Sequence, residues 1–91
     1  MNKQFTLSAE LDNVIDSSAF EFSRRRFAMI IRGVQREVSA TPRQIVDFIN
    51  GGTDGWDVSN DEQQDYYDTN SVAEIVKWLS SLMYDAGFDR A

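Results

Sequence analysis

Residues 18–38, SAFEFSRRRFAMIIRGVQREV, decide the fold. Ser18 and Glu21 have the spacing of a capping box, in which two side chains satisfy free backbone amides at the start of a helix. Apolar side chains then recur at intervals of seven, four, three and four residues, namely Phe20, Phe27, Ile31, Val34 and Val38. This stripe predicts one helix over residues 19–38, in which Gly33 costs about 1 kcal/mol relative to alanine.

A second helix is predicted over residues 42–50. Thr41 and Gln44 have capping-box spacing, and Pro42 occupies the first helical position, where its missing N–H is not needed. Glycines follow at positions 51 and 52, and Gly51 is suited to a left-handed helix end. Residues 51–58 are then predicted to form an acidic loop.

Two more capping boxes predict helices over residues 60–67 and 71–86; they are Ser59 with Glu62 and Ser71 with Glu74. Gly87 followed by Phe88 is typical of a Schellman helix end, in which the apolar residue packs back onto the helix. Trp78 lies beside the apolar stripe of the last helix and is expected at the edge of the core. Met29 and Met83 are expected to fill gaps in the core.

Residues 1–16 allow two interpretations. Phe5, Leu7, Ala9 and Leu11 alternate as in a strand, whereas Ser8 followed by Leu11, Val14 and Ile15 is typical of a short capped helix. The chain is therefore predicted to be a single domain over residues 1–91. We predict a mainly α fold, a bundle of three to five helices. If residues near the N-terminus form a strand, the fold class is α+β instead.

The charge is distributed unevenly along the chain, whose net charge is −6. Residues 1–43 carry seven basic and five acidic side chains, whereas residues 44–91 carry two basic and ten acidic ones. No lysine or arginine lies between Arg43 and Lys77. The second half therefore predicts a strongly negative surface, which repels nucleic acid and attracts basic proteins.

Composition excludes several function classes. The chain has no cysteine and no histidine, which excludes disulfides, Cys/His zinc sites, thiol nucleophiles and Ser-His-Asp catalysis. A calcium loop starting at Asp54 fails, because Trp56 and Ser59 occupy the third and sixth positions of the EF-hand pattern. We expect no enzyme activity, no cofactor and no metal. No apolar run is long enough for a membrane span and no signal peptide is evident, so a cytoplasmic location without membrane contact is predicted.

Aromatic residues alternate with carboxylates in the acidic half, and this pattern is typical of surfaces that bind basic proteins. Tyrosine and tryptophan supply contact area, while carboxylates steer the partner. The competing interpretation is that Trp56 and one tyrosine close the core beneath the loop. The predicted partner-binding residues are Asp54, Trp56, Asp57, Asp61, Glu62, Asp65, Tyr66, Tyr67 and Asp68.

Five arginines on the predicted 19–38 helix form an alternative site, a nucleic-acid contact; they are Arg24, Arg25, Arg26, Arg32 and Arg36. The net negative charge opposes such docking, so direct nucleic-acid binding is disfavoured. We expect these arginines to pair with the acidic half of the chain.

The leading functional hypothesis is a small acidic module that binds a basic protein surface, such as that of a nucleic-acid-binding protein. In size, acidity and lack of catalytic side chains, the chain resembles phage-type inhibitors that mimic nucleic-acid charge and block host defence or transcription proteins. Two alternatives are a nucleic-acid-binding regulator that uses the arginine helix, and a structural or assembly protein that oligomerises by charge.

Overall fold

The computed structural model describes residues 9–18, 20–51 and 60–91, and within these ranges the chain forms five α-helices and no strand. The helices are α1 (Ala9–Asp16), α2 (Arg24–Glu37), α3 (Pro42–Gly51), α4 (Asn60–Thr69) and α5 (Val72–Asp85). The prediction of a small, mainly α single domain is confirmed.

Helix α2 is the centre of the domain and packs against α5, α3 and α1, while α1 also packs against α3. Its core-facing side chains have no exposed surface: Phe27, Ala28, Ile30, Ile31 and Val34. The apolar stripe read from the sequence is thus the buried face of α2. Burial of a large apolar side chain contributes roughly 1.5–3 kcal/mol, which makes this stripe a principal source of stability.

The predicted start of α2 is wrong. The helix begins at Arg24, and its N-cap is Ser23, whose hydroxyl oxygen accepts a hydrogen bond from the Arg26 backbone N–H at 3.1 Å. Ser18 instead accepts a hydrogen bond from the Phe20 amide within a turn. Residue 19 lies outside the described residues.

Residues 20–23 are non-helical because their aromatic side chains are held by distant partners. The Phe20 ring meets Tyr67 edge-on at 5.5 Å, and the Phe22 ring lies 5.0 Å from Tyr67 and also stacks on Phe27. Phe20 therefore packs against the core, as its place in the stripe predicts, but from outside the helix.

Helix α3 begins with the predicted capping box, because the Gln44 amide donates to the Thr41 hydroxyl at 3.1 Å and the Thr41 amide donates to Gln44 Oε1 at 2.9 Å. At the start of α5, Ser71 likewise accepts from the Glu74 amide at 3.2 Å.

The end of α5 has the predicted Schellman geometry. Gly87 has a φ of +106°, and the Phe88 amide donates to the Met83 carbonyl at 2.9 Å. Phe88 packs edge-on against Phe48 of α3, so the apolar residue after the glycine turns back onto the domain.

At the N-terminal end of the described chain, residues 9–16 are helical, with Leu11, Val14 and Ile15 buried. The helical interpretation therefore holds for this segment, and residues 1–8 lie outside the described part of the structure. At the other end, Val38 and Arg90 form an isolated antiparallel bridge that ties the last residues to the end of α2.

Helices α2 and α5 lie unusually close together at Gly33, which faces Val76. Further along both helices, the Tyr84 hydroxyl donates to the Glu37 carbonyl. The contact that lies further along α2 also lies further along α5, so the two helices run in the same general direction.

Candidate functional site

Helix α4 carries all six of the predicted partner-binding residues that the structure describes, and its inner face is anchored by two side chains. Gln63 and Tyr67 are 4% and 1% exposed, and Gln63 Nε2 donates to the Tyr67 hydroxyl oxygen at 3.0 Å. Burial raises the pKa of Tyr67, and the hydrogen bond from Gln63 opposes this shift only in part. Tyr67 thus belongs to the core, where a partner protein does not reach it.

The C-terminal end of α4 is bound by Arg26 of α2. Arg26 Nη2 donates to the Tyr67 carbonyl at 2.8 Å and also to the Asn70 carbonyl. A guanidinium is favourable there because the last carbonyls of a helix lack partners and carry partial negative charge. Arg26 therefore fixes α4 against the start of α2.

Gln64 holds α4 to the non-helical segment before α2. Its Nε2 donates to the Glu21 carbonyl at 2.8 Å, and its Oε1 accepts from the Glu21 amide at 3.0 Å. Because one side-chain amide satisfies both polar groups of one residue, this contact fixes the position of the segment as well as that of the helix.

The outer face of α4 is acidic. The residues Asp61, Glu62, Asp65 and Asp68 are all exposed. Three of them, at positions 61, 65 and 68, follow helical spacing and form one stripe. The structure therefore brings together four of the predicted partner-binding carboxylates on a single face, with Gln64 Nε2 donating to Asp68 Oδ1 at 3.1 Å.

Tyr66 lies at the edge of this acidic face and is half-buried against Trp78 of α5, with ring centroids 4.6 Å apart. Burial raises the pKa of Tyr66, and the negative charge of Glu74 adds to the effect. Trp78 also contacts Tyr67 and lies at the edge of the core, as predicted. The other predicted partner-binding residues, Asp54, Trp56 and Asp57, lie outside the described residues, as do residues 52–58 of the predicted acidic loop. The prediction is wrong at Gly51, which is the last residue of α3 and has no positive φ.

The five arginines proposed as a nucleic-acid contact have different surroundings. Arg24 bonds to Asp12 and Asp16 of α1, and hydrogen bonds to Asp16 and then Asp12 raise the pKa of its guanidinium. Arg26 is partly buried against the backbone after α4, whereas Arg25 is exposed. These arginines were expected to pair with the acidic half of the chain. The expectation is wrong for Arg24, because its carboxylate partners lie on α1. For Arg26 it holds only through backbone carbonyl groups.

Arg32 and Arg36 belong to a different feature, a groove between α2 and α5 with a volume of about 920 Å³. Lys77 of α5 also lines it. Met29 lies along the same groove and is 44% exposed, so the expectation that it fills a gap in the core is wrong, whereas Met83 is fully buried. Sequence reasoning missed this groove.

No group of three or more aspartate or glutamate residues within the described ranges is arranged to hold a metal ion. None of the helices in those ranges has the length and apolar character that crossing a membrane requires. Comparisons with models of protein families, with curated proteins and with solved structures found no match for this chain.

Proposed function

We propose that this protein is a small binding module without catalytic activity, and that the acidic outer face of α4 engages a basic surface on a partner protein. The observation that carries the proposal is the exposure of four carboxylates on one helix, in a chain with no lysine or arginine between Arg43 and Lys77. Such a face attracts cationic surfaces and accelerates encounter with them.

The charge spacing supports a more specific form of the proposal, in which the partner is a nucleic-acid-binding protein of the cytoplasm. The four charges from Asp61 to Asp68 span about 10.5 Å of helix axis in three intervals, or about 3.5 Å per charge. Duplex DNA carries one charge per roughly 1.7 Å counting both strands, and per roughly 3.4 Å counting one. The charge spacing of α4 is close to that of one DNA strand, so a surface built for phosphates would also attract this helix.

The aromatic pair at the edge of the face adds contact area. Tyr66 retains part of its ring surface in solvent while Trp78 supports it from behind. Tyrosine and tryptophan are enriched among the residues that dominate binding energy in interfaces. We assign to Tyr66 the apolar contact that carboxylates alone do not provide.

The test uses a variant with Asp61→Asn, Glu62→Gln, Asp65→Asn and Asp68→Asn as bait in a lysate of the native host, beside the unmodified chain. A matched control neutralises four exposed carboxylates elsewhere, with Glu21→Gln, Asp47→Asn, Asp85→Asn and Asp89→Asn. Both variants have the same net charge, so a difference between them reports the location of the charge. Circular dichroism checks that α4 still forms, because acidic residues in its first turn favour the helix.

We expect the unmodified chain and the control to capture the same basic proteins, and the α4 variant to lose them. Captured proteins should be released by added salt and by a short DNA duplex, since both compete for the same cationic surface. Equal capture by the two variants would contradict the use of α4. If the captured proteins stay bound to the chain in excess DNA duplex, the partner does not bind α4 through the surface that binds nucleic acid.

A further inference from the structure

The groove between α2 and α5 uses none of the acidic residues of α4, and its chemistry is different. Its volume of about 920 Å³ is in the range of small-molecule sites, which are typically about 300–1,000 Å³. Gly33, Val76 and Ser80 line it, and Val76 lies close against Gly33. The close approach at Gly33 makes this part of the groove narrow.

Positive charge is concentrated along the groove of a chain whose net charge is negative. Arg32, Arg36 and Lys77 line it, against the single carboxylate of Glu37. Arg32 and Arg36 are four residues apart on α2, a spacing at which like charges repel each other.

Ser80 provides an independent polar observation. Its side chain is 4% exposed, and its hydroxyl oxygen is fully buried with no hydrogen-bond partner among the described residues. Native proteins rarely leave a buried hydroxyl unpaired, because the group lost its bonds to water on folding. A change of the Ser80 side-chain rotamer would bring this hydroxyl to the surface of the groove, where an oxygen of a ligand would satisfy it.

The remaining lining is apolar. Met29 is the large apolar side chain that the described part of the chain leaves exposed, and Val72, Ala73 and Val76 continue the apolar surface along α5. From Met29 to Glu37 the groove follows α2 for about 12 Å. A ligand that matches this lining has an apolar chain and an anionic end.

From these features we propose that the groove binds a single-chain amphipathic anion, a medium-chain acyl carboxylate. The acyl chain lies along Met29 and Val76, and the carboxylate contacts Arg36 and Lys77 and, after that rotamer change, the Ser80 hydroxyl.

The first experiment titrates the protein with monomeric decanoate and follows the methionine methyl groups by NMR. The Met29 signal should shift and saturate, while the amide spectrum shows that the fold is retained. Decanol should bind about tenfold more weakly or worse, because it lacks the charge, and decyltrimethylammonium should not compete. No shift of Met29 at millimolar decanoate, or equal binding of the cationic analogue, would overturn the proposal.

Variants locate the binding site. Arg36→Gln and Lys77→Gln should each weaken decanoate binding about tenfold, the loss expected for one charge-assisted hydrogen bond. Arg43→Gln is the matched control, since Arg43 is an exposed arginine of α3 that does not line the groove. Ala73→Phe adds a ring at an exposed lining position and should block the acyl chain without disturbing the core. Equal effects of Arg36→Gln and Arg43→Gln would mean that decanoate binds through general charge, which contradicts the assigned site.

A further experiment distinguishes binding of a free carboxylate from binding to a lipid surface. Vesicles containing an anionic phospholipid are sedimented with the protein in the absence of decanoate. Free-ligand binding predicts saturable decanoate affinity and little protein in the pellet. Sedimentation with vesicles in the absence of decanoate binding would overturn the proposal in favour of a membrane headgroup. Because α4 is not involved, the result is independent of the proposed protein-binding function.

Discussion

Gly33 and Val76 are in a contact that leaves no room for a side chain on α2. A Cβ atom placed on Gly33 would lie 2.6 Å from Val76 Cγ2, well inside van der Waals contact. The sequence presents Gly33 as a weakness in a helix, whereas in the folded domain its missing side chain allows α5 to approach the central helix.

Gly33→Ala should therefore lower the free energy of unfolding by about 1–2 kcal/mol, because the cost of overpacking exceeds the gain in helix propensity. In a Val76→Ala background the same change should be stabilising by up to about 1 kcal/mol, since the obstructing methyl groups are gone. Urea unfolding of the four proteins in this cycle measures both effects. Gly51→Ala is the control, since a Cβ there meets nothing within 4 Å; a similar loss at Gly51 would contradict the steric explanation.

The true start of α2 can be tested with serine substitutions. Ser23→Ala should cost about 1 kcal/mol, the usual effect of losing an N-cap, and Ser71→Ala at the start of α5 should cost a similar amount. Ser18→Ala should cost less, because Ser18 closes a turn and caps no helix. Thermal or urea unfolding gives the order of the three variants. A larger loss at Ser18 than at Ser23 would support the start predicted from the capping box.

Tyr67 should make stability depend on pH in the alkaline range. Burial raises its pKa in the folded state, so above about pH 10 the unfolded chain releases a proton that the folded chain retains. Stability is unaffected by this group below that pH and then falls by up to about 1.4 kcal/mol per pH unit. Urea unfolding between pH 9 and about 11.5 measures the slope.

The variant Tyr67→Phe should reduce the loss of stability per pH unit in the alkaline range. A smaller pH dependence of stability should remain because of Tyr66, whose pKa is also raised. At neutral pH it should cost about 1–3 kcal/mol, because buried Gln63 loses its closer hydrogen-bond acceptor. Tyr84→Phe serves as the comparison and retains Tyr67. Identical alkaline slopes for Tyr67→Phe and the unmodified chain would show that Tyr67 is not the group responsible.

The helices were predictable where their signals are local. The starts of α3 and α5 follow from Thr41 with Gln44 and from Ser71, because a cap is formed by residues three apart in sequence. The start of α2 was not predictable in this way. Ser18 has the more complete capping box, but Gln64 binds the backbone of Glu21 across 43 residues of sequence and keeps that segment extended.

The candidate site was predictable in part for the same reason. Helical spacing places Asp61, Asp65 and Asp68 on one stripe, yet it does not tell which of Tyr66 and Tyr67 faces the core. That choice depends on Phe20, Phe22 and Trp78, which come from distant parts of the chain. The groove was missed because it requires two helices to be in contact, and Gly33 within the helical pattern was its one local sign.

The anchoring of α4 has an evolutionary consequence. Gln63 and Tyr67 hold the helix from one side, whereas Asp61 and Asp65 face solvent on the other. Mutations can therefore accumulate at the exposed positions while Gln63 and Tyr67 keep the helix attached to the domain. A lineage facing a partner that changes its surface could alter the charges it presents, residue by residue, while the domain beneath stays folded.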